Sequence, residues 1–224
     1  MAGIRGMIGA RHDFENRESL AERLADRVAR ALSRAISRQG SAILAVSGGN
    51  TPALFFEHLS REAITWEKVT ITLVDERQVD ESNPRSNARL VKRGLLQNLA
   101  RAAKFVPLFQ NEQAAAKLVA DVVVLGMGED GHTASFFPSG DNLGMALAEK
   151  SAPTLLSMQA PGAIEPRLTY SLATLLKAKV ICLHIEGQRK QAVLAQALSG
   201  SDIFEMPIRA ILQSDIPLEI FWCP

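Results

Sequence analysis

Cysteine, net charge and long apolar runs are all scarce in this chain, and each shortage excludes a class of protein. Among 224 residues only Cys182 and Cys223 are cysteines. That is too few for a disulfide framework, and no second histidine or cysteine pair builds a metal site. Both lie in strand-like apolar stretches and read as small buried side chains, not as a bridge. Lys and Arg number 25 against 24 Asp and Glu, a net charge of +1. No global field then draws the chain to nucleic acid or to an anionic membrane, so an anion must be held by a local arrangement. The apolar runs are too short for a spanning helix. Residues 1–10 have no apolar core of signal-peptide length. No repeat, low-complexity tract or linker interrupts the chain. The expectation is one cytoplasmic domain over residues 1–224, an enzyme or a binding protein.

What is present is an ordinary globular balance, 47% hydrophobic and 22% charged residues. A chain of this length buries roughly 70% of the surface that its unfolded form exposes. Leu20, Leu24, Val28, Leu32 and Ile36 recur every fourth residue and predict an amphipathic helix over 13–39, stopped at Gly40. Apolar runs predict strands at 42–46, 69–74, 121–125, 180–185 and 218–222, with further strand-like stretches at 105–109, 154–158 and 167–171. Helices are expected from Pro52 onward, over 86–99, over 112–119 and over 188–198. Strands alternating with helices imply βαβ units and a largely parallel sheet covered on both faces. In such sheets ligands bind beyond the carboxyl ends of the strands.

Four loops occupy that kind of position. Ser47-Gly48-Gly49-Asn50-Thr51-Pro52 follows a strand and opens a helix, with Thr51 suited to the N-cap and Pro52 to the first helical position. Free N–H groups there would face an anion such as phosphate; a plain strand-to-helix turn is the alternative. Asp75-Glu76-Arg77 places three charges directly after an apolar strand, where they need partners. Arg77 could grip a phosphate with its fork of donors, or an ion-paired strand end could explain the cluster. Arg85 reads as a solvated loop residue and Ser86 as a helix cap.

Residues 126–138, from Gly126-Met127-Gly128 through Asp130-Gly131-His132 to Pro138, form the third loop. Three glycines in six residues let it fold tightly around a small ligand. His132 is the one histidine of four in such a setting, and it can take a proton from water and return it. Asp130 or Glu129 could orient it. His12 and His58 read as helical and exposed, and His184 as a structural strand residue. The Gly-x-Gly-x-x-Gly spacing at 126–131 lacks the following helix and the strand-end acid of a dinucleotide site. Ser135 lacks a nucleophile elbow. In the fourth loop Lys190 follows Gly187 at the start of a helix, where it could meet an anion or stay solvated. Arg167 is equally ambiguous alone.

In this order, Ser47–Pro52, Asp75-Glu76-Arg77 with Ser86-Asn87, residues 126–138, Arg167-Leu168-Thr169, and Gly187 with Lys190 resemble the motifs of the 6-phosphogluconolactonases over nearly the whole chain. The resemblance implies a three-layer α/β/α sandwich, shared with glucosamine-6-phosphate deaminases and ribose-5-phosphate isomerases. It implies metal-free and cofactor-free hydrolysis of 6-phospho-D-glucono-1,5-lactone, with glucose-6-phosphate dehydrogenase as a functional neighbour. It implies His132, with Asp130, as the catalytic pair, and an oxyanion held by N–H groups of the 126–131 turn. Arg77, Arg167 and Lys190 become a cationic cluster for phosphate and substrate oxygens. Ser47, Gly48, Gly49 and Thr51 become its backbone partner, and Asp75 a residue orienting hydroxyls or the histidine. The chain departs from the family pattern at Asn50, where serine is usual, in a short 109–121 segment, and in the lack of a lysine in 160–165. Two rivals share the fold: a deaminase and a non-catalytic sugar-phosphate sensor. The deaminases carry Asn-Glu where this chain has Phe136-Phe137, and Asp-Glu-Tyr where it has Asp75-Glu76-Arg77.

Overall fold

The computed structural model describes residues 8–148, 154–161 and 163–224. The period-four stripe forms α1, Arg17–Gln39, with Leu20, Leu24, Val28 and Leu32 fully buried. Asn16 caps it by accepting a hydrogen bond from Ser19 N at 2.9 Å, and Gly40 ends it at φ 85°. Residues 8–13, partly assigned above to this helix, are instead a strand, β1 (Ile8–Asp13). His12 therefore sits on a strand, with its ring 4.8 Å from that of Phe221. An edge strand is covered on one side only, so it shows no apolar run.

Chain order continues with β2 (Ala42–Val46), α2 (Ala53–Ser60), β3 (Val69–Leu73), β4 (Asp75–Arg77), α3 (Asn87–Gly94), β5 (Lys104–Phe105), α4 (Glu112–Ala115) and β6 (Val122–Leu125). It ends with α5 (Leu143–Ala146), β7 (Leu155–Met158), β8 (Arg167–Tyr170), α6 (Leu172–Leu175), β9 (Val180–Glu186), α7 (Gln188–Ser199), α8 (Ile208–Leu212) and β10 (Leu218–Cys223). The expected 86–99 helix stops at Gly94 and gives way to a 3-10 turn at Asn98–Ala102. The 112–119 helix shrinks to one turn, and the 105–109 strand to two residues. Three short helices, α5, α6 and α8, are too brief to show a helical period.

Seven strands form one parallel sheet in the order β1-β10-β9-β6-β2-β3-β5. Right-handed crossovers put α1 and α2 on one face and α7, whose connection runs the other way, on the opposite face. This is the expected α/β architecture with helices on both sides of the sheet. A second, antiparallel sheet, β4-β8-β7, stands beyond the carboxyl end of β3. The chain order reverses between β2 and β6, which are neighbours, and a crevice opens there. Cys182 and Cys223 are buried and unbonded, as expected. Burial pushes the Cys182 thiol up to about 12. Among the described residues no helix is long and apolar enough to cross a membrane.

Candidate active site

A cleft of about 310 Å³ opens where β2 and β6 diverge. Nine of the ten residues singled out above line it: Ser47, Gly48, Gly49, Thr51, Asp75, Arg77, His132, Arg167 and Lys190. The tenth, Asp130, stands behind His132. Its Oδ1 lies 2.5 Å from His132 Nδ1 and accepts a hydrogen bond from His132 N at 3.1 Å. With Nδ1 held by a carboxylate, Nε2 is left as the ring's basic atom. Partial burial works to raise the Asp130 carboxyl, but the hydrogen bonds and charge of His132 outweigh it, and its pKa is lowered. The imidazole also rests on Phe137, with ring centroids 4.6 Å apart.

Two glycines of this loop have a specific job. A Cβ on Gly128 would sit 2.1 Å from His132 Nδ1 and 2.4 Å from Asp130 Oδ1. Gly131 takes φ 78°, and its carbonyl accepts from Ile208 N at 2.8 Å. Gly126 N donates to Ser47 Oγ, Gly128 N to His132 O and Gly131 N to Gly128 O, so within the turn expected to hold an oxyanion it is Met127 and Glu129 whose backbone N–H groups donate to no protein acceptor among the described residues.

The first loop keeps its donors. Among the described residues, Gly48, Gly49, Asn50 and Thr51 donate their backbone N–H groups to no protein acceptor. Gly49 is at φ 93°, a conformation natural to glycine. Thr51 is not the N-cap as expected: α2 begins one residue later, with Pro52 at the cap and no side-chain cap bond. Ser47 ties this loop to β6 and to the loop after it, its N donating to Val124 O at 3.0 Å and its Oγ accepting from Gly126 N at 3.1 Å.

The charges after β3 separate by role. Glu76 turns inward, 2% exposed, and accepts from Arg77 N, Asn87 N and Ala88 N, each at 2.7 Å. It closes the start of α3, which Ser86 caps as expected. Asp75 is buried beside the cleft and accepts from Ser135 Oγ at 2.6 Å. Ser135 is thus a buried support for a carboxylate. Arg77 and Arg167 face each other as register partners across β4 and β8. Arg167 is 8% exposed, 3.9 Å from Asp75 Oδ2 and 5.5 Å from the Phe137 ring. Burial, more than the neighbouring arginines, lowers its pKa, against Asp75. Nε of both arginines is buried without a partner. Lys190 donates to Met127 O at 2.6 Å. Burial lowers its pKa against the pull of Glu129 and Asp130.

Three further polar side chains that line the cleft, His184, Glu186 and Asn87, were not assigned to the site. His184 is a structural strand residue, as expected, but its strand also forms the cleft wall. It is 3% exposed and lies 3.0 Å from Glu186, which pairs with Arg17 at 2.6 Å. Period-two alternation along β9 puts 184 and 186 on one face, a signal that could have found them. Asn87 donates to Asp75 O at 2.9 Å, and a Cβ on Gly48 would sit 1.9 Å from its Oδ1. No sequence pattern brings residues 48 and 87 together.

Residues 15–222 match the family model described as glucosamine-6-phosphate isomerases/6-phosphogluconolactonase. The chain belongs to this family. A 6-phosphogluconolactonase of Rhizobium meliloti (strain 1021) is 51% identical over 97% of this chain and 100% of its own. The crystal structure of a 6-phosphogluconolactonase from Shewanella baltica OS155 superposes with TM-score 0.92 at 38% identity, covering 98% of this chain and 100% of that one. A monomeric glucosamine-6-phosphate deaminase shares the fold, with TM-score 0.73 at 22% identity over 94% of this chain and 96% of its own. The family's two named activities therefore sit on one scaffold, and loop chemistry must separate them.

Proposed function

We propose that the chain hydrolyses 6-phospho-D-glucono-1,5-lactone to 6-phospho-D-gluconate, the second step of the oxidative pentose phosphate pathway. The observation that carries this reading is His132, backed by Asp130, lining one cleft with Arg77, Arg167 and Lys190. A δ-lactone is already electrophilic, so what it needs is an activated water and a fixed position. His132 Nε2 takes a proton from water as its oxygen bonds to C1. The tetrahedral intermediate then expels the ring oxygen, which receives that proton from the imidazolium. Asp130 stabilises the imidazolium and holds the tautomer. The three cations and the free N–H groups of Gly48–Thr51 hold the phosphate and the substrate oxygens. Anchoring the remote phosphate sets C1 against the base, which is how distant binding energy enters the rate. Asp75, oriented by Ser135, meets a sugar hydroxyl.

The deaminase reading needs a carboxylate relay at the end of the catalytic loop. There Phe137 packs on the imidazole instead. The sensor reading is separated by turnover. Lactone generated by glucose-6-phosphate dehydrogenase should disappear faster than its spontaneous decay when the protein is added, with a chelator present throughout. Decay at the spontaneous rate, with 6-phosphogluconate still binding, would replace the enzyme by a sensor. A rate that collapses with chelator would overturn metal-free catalysis. On this reading the chain works as one domain in the cytoplasm on a small sugar phosphate, needs no nucleic acid or membrane, and is fed by the dehydrogenase.

A further inference from the structure

Arg77 and Arg167 stand directly opposite each other on antiparallel strands, an arrangement that like charges disfavour. Among the described residues Arg77 has no carboxylate within ion-pairing distance, and Arg167 has only Asp75 at 3.9 Å. Something other than direct charge pairing must hold Arg77 in place. Its Nη1 donates to the backbone carbonyl of Arg85. Arg85 is itself fixed at both ends. Its N donates to Asn83 Oδ1 at 2.9 Å. Its guanidinium meets both oxygens of Glu165, Nε to Oε1 at 2.5 Å and Nη2 to Oε2 at 3.0 Å. Glu165 lies two residues before Arg167, on the segment that enters β8. The Arg85–Glu165 fork therefore spans the same two chain segments that carry the facing arginines, and it lies outside the cleft lining.

We infer that Arg85 and Glu165 are positioning residues: a bidentate strap that holds Arg77 against Arg167 so that the two guanidinium groups present their unpaired donors to one phosphate dianion. The inference rests on the phosphate role proposed above for those arginines. A guanidinium whose Nη2 donates to one carboxylate oxygen while its Nε lies against the other is fixed in orientation as well as distance, which a single ammonium contact is not. Glu165 also supplies a negative charge near two cations without entering the space that the anion needs. It holds, from outside the cleft, a site that stays cationic within.

Glu165→Gln and Arg85→Ala test the strap by steady-state kinetics with the phosphorylated lactone and by competitive inhibition with inorganic phosphate. Each variant should raise KM and the phosphate inhibition constant roughly 3- to 10-fold, the scale of one bidentate surface pair, with kcat within about twofold. The double variant should be no worse than either single one, because both remove one unit. Arg85→Lys should recover only part of the loss. With unphosphorylated D-glucono-1,5-lactone, kcat/KM should not move. An equal loss on both lactones would mean a merely structural role and overturn the strap. Unchanged KM in Glu165→Gln, beside a raised KM in Arg77→Ala, would overturn the strap and leave the phosphate reading standing. Unchanged KM in Arg77→Ala would remove the phosphate reading and the strap with it.

Discussion

The Nδ1 atom of His132 lies 2.5 Å from the carboxylate of Asp130, two residues earlier in the same turn. A histidine and a carboxylate this close in sequence meet because the intervening Gly131, at φ 78°, folds the chain back on itself. The pair is therefore a property of one loop, and its geometry is carried by glycines.

Replacing His132 by Asn should lower kcat roughly 10²–10⁴-fold, with KM changing much less. Turnover near wild type at saturating lactone would remove His132 as the base.

Asp130→Asn should lower kcat by roughly 10²-fold, through loss of the tautomer and of the imidazolium's partner. Its pKa in the fold is lowered, so the folded protein binds this proton less tightly than the unfolded chain. The stabilisation it contributes is present above the ordinary carboxylate range and is lost as pH falls through the lowered value. Thermal melts across acid pH should show wild type losing stability on that limb more steeply than Asp130→Asn. Parallel curves would contradict the lowered carboxyl.

Gly128→Ala places a methyl group on the side chains of His132 and Asp130. Side chains can swing away, so the melting temperature should change by no more than about 2–4 °C. The displaced imidazole should cost kcat about 10²-fold. A fully active alanine variant would show that the dyad tolerates displacement.

Arg77→Ala should raise KM for the phosphorylated lactone roughly 10- to 100-fold, the scale of a charged hydrogen bond. Its kcat should fall less than its kcat/KM.

Glu76→Ala strips the acceptor from three backbone N–H groups, two of them at the start of α3, and should cost roughly 2–4 kcal/mol of stability. Burial raises the Glu76 pKa against the hydrogen bonds from Asn87, Ala88 and Arg77. The fold thus binds this proton more tightly. That contribution is full below the ordinary glutamate range and is lost as pH rises through the raised value. Denaturant titrations should find the loss in Glu76→Ala smaller at pH 7 than at pH 4. The opposite order would refute the direction.

Sequence alone determined the elements whose stability comes from their own periodicity. The buried stripe of α1, the apolar runs of β2, β3, β6, β9 and β10, and the glycine-rich loops behind two of them were all legible, because burial on a helix face or within a parallel sheet imprints a local pattern. The motifs for Ser47–Thr51, Arg77, His132, Arg167 and Lys190 were legible for the same reason, since each sits at a strand end or a helix start. Tertiary structure decided what local pattern cannot encode. Strand β1 gains its pairing from β10, more than 200 residues later, and needs no apolar run of its own. Asp75 and Glu76, adjacent and identical in charge, part ways because one turns to the cleft and Ser135, the other to the amides of α3. Arg85, read as a solvated loop residue, proves bound to Glu165, 80 residues away. Such pairings depend on which loops the sheet order brings together, and only the folded chain sets that order.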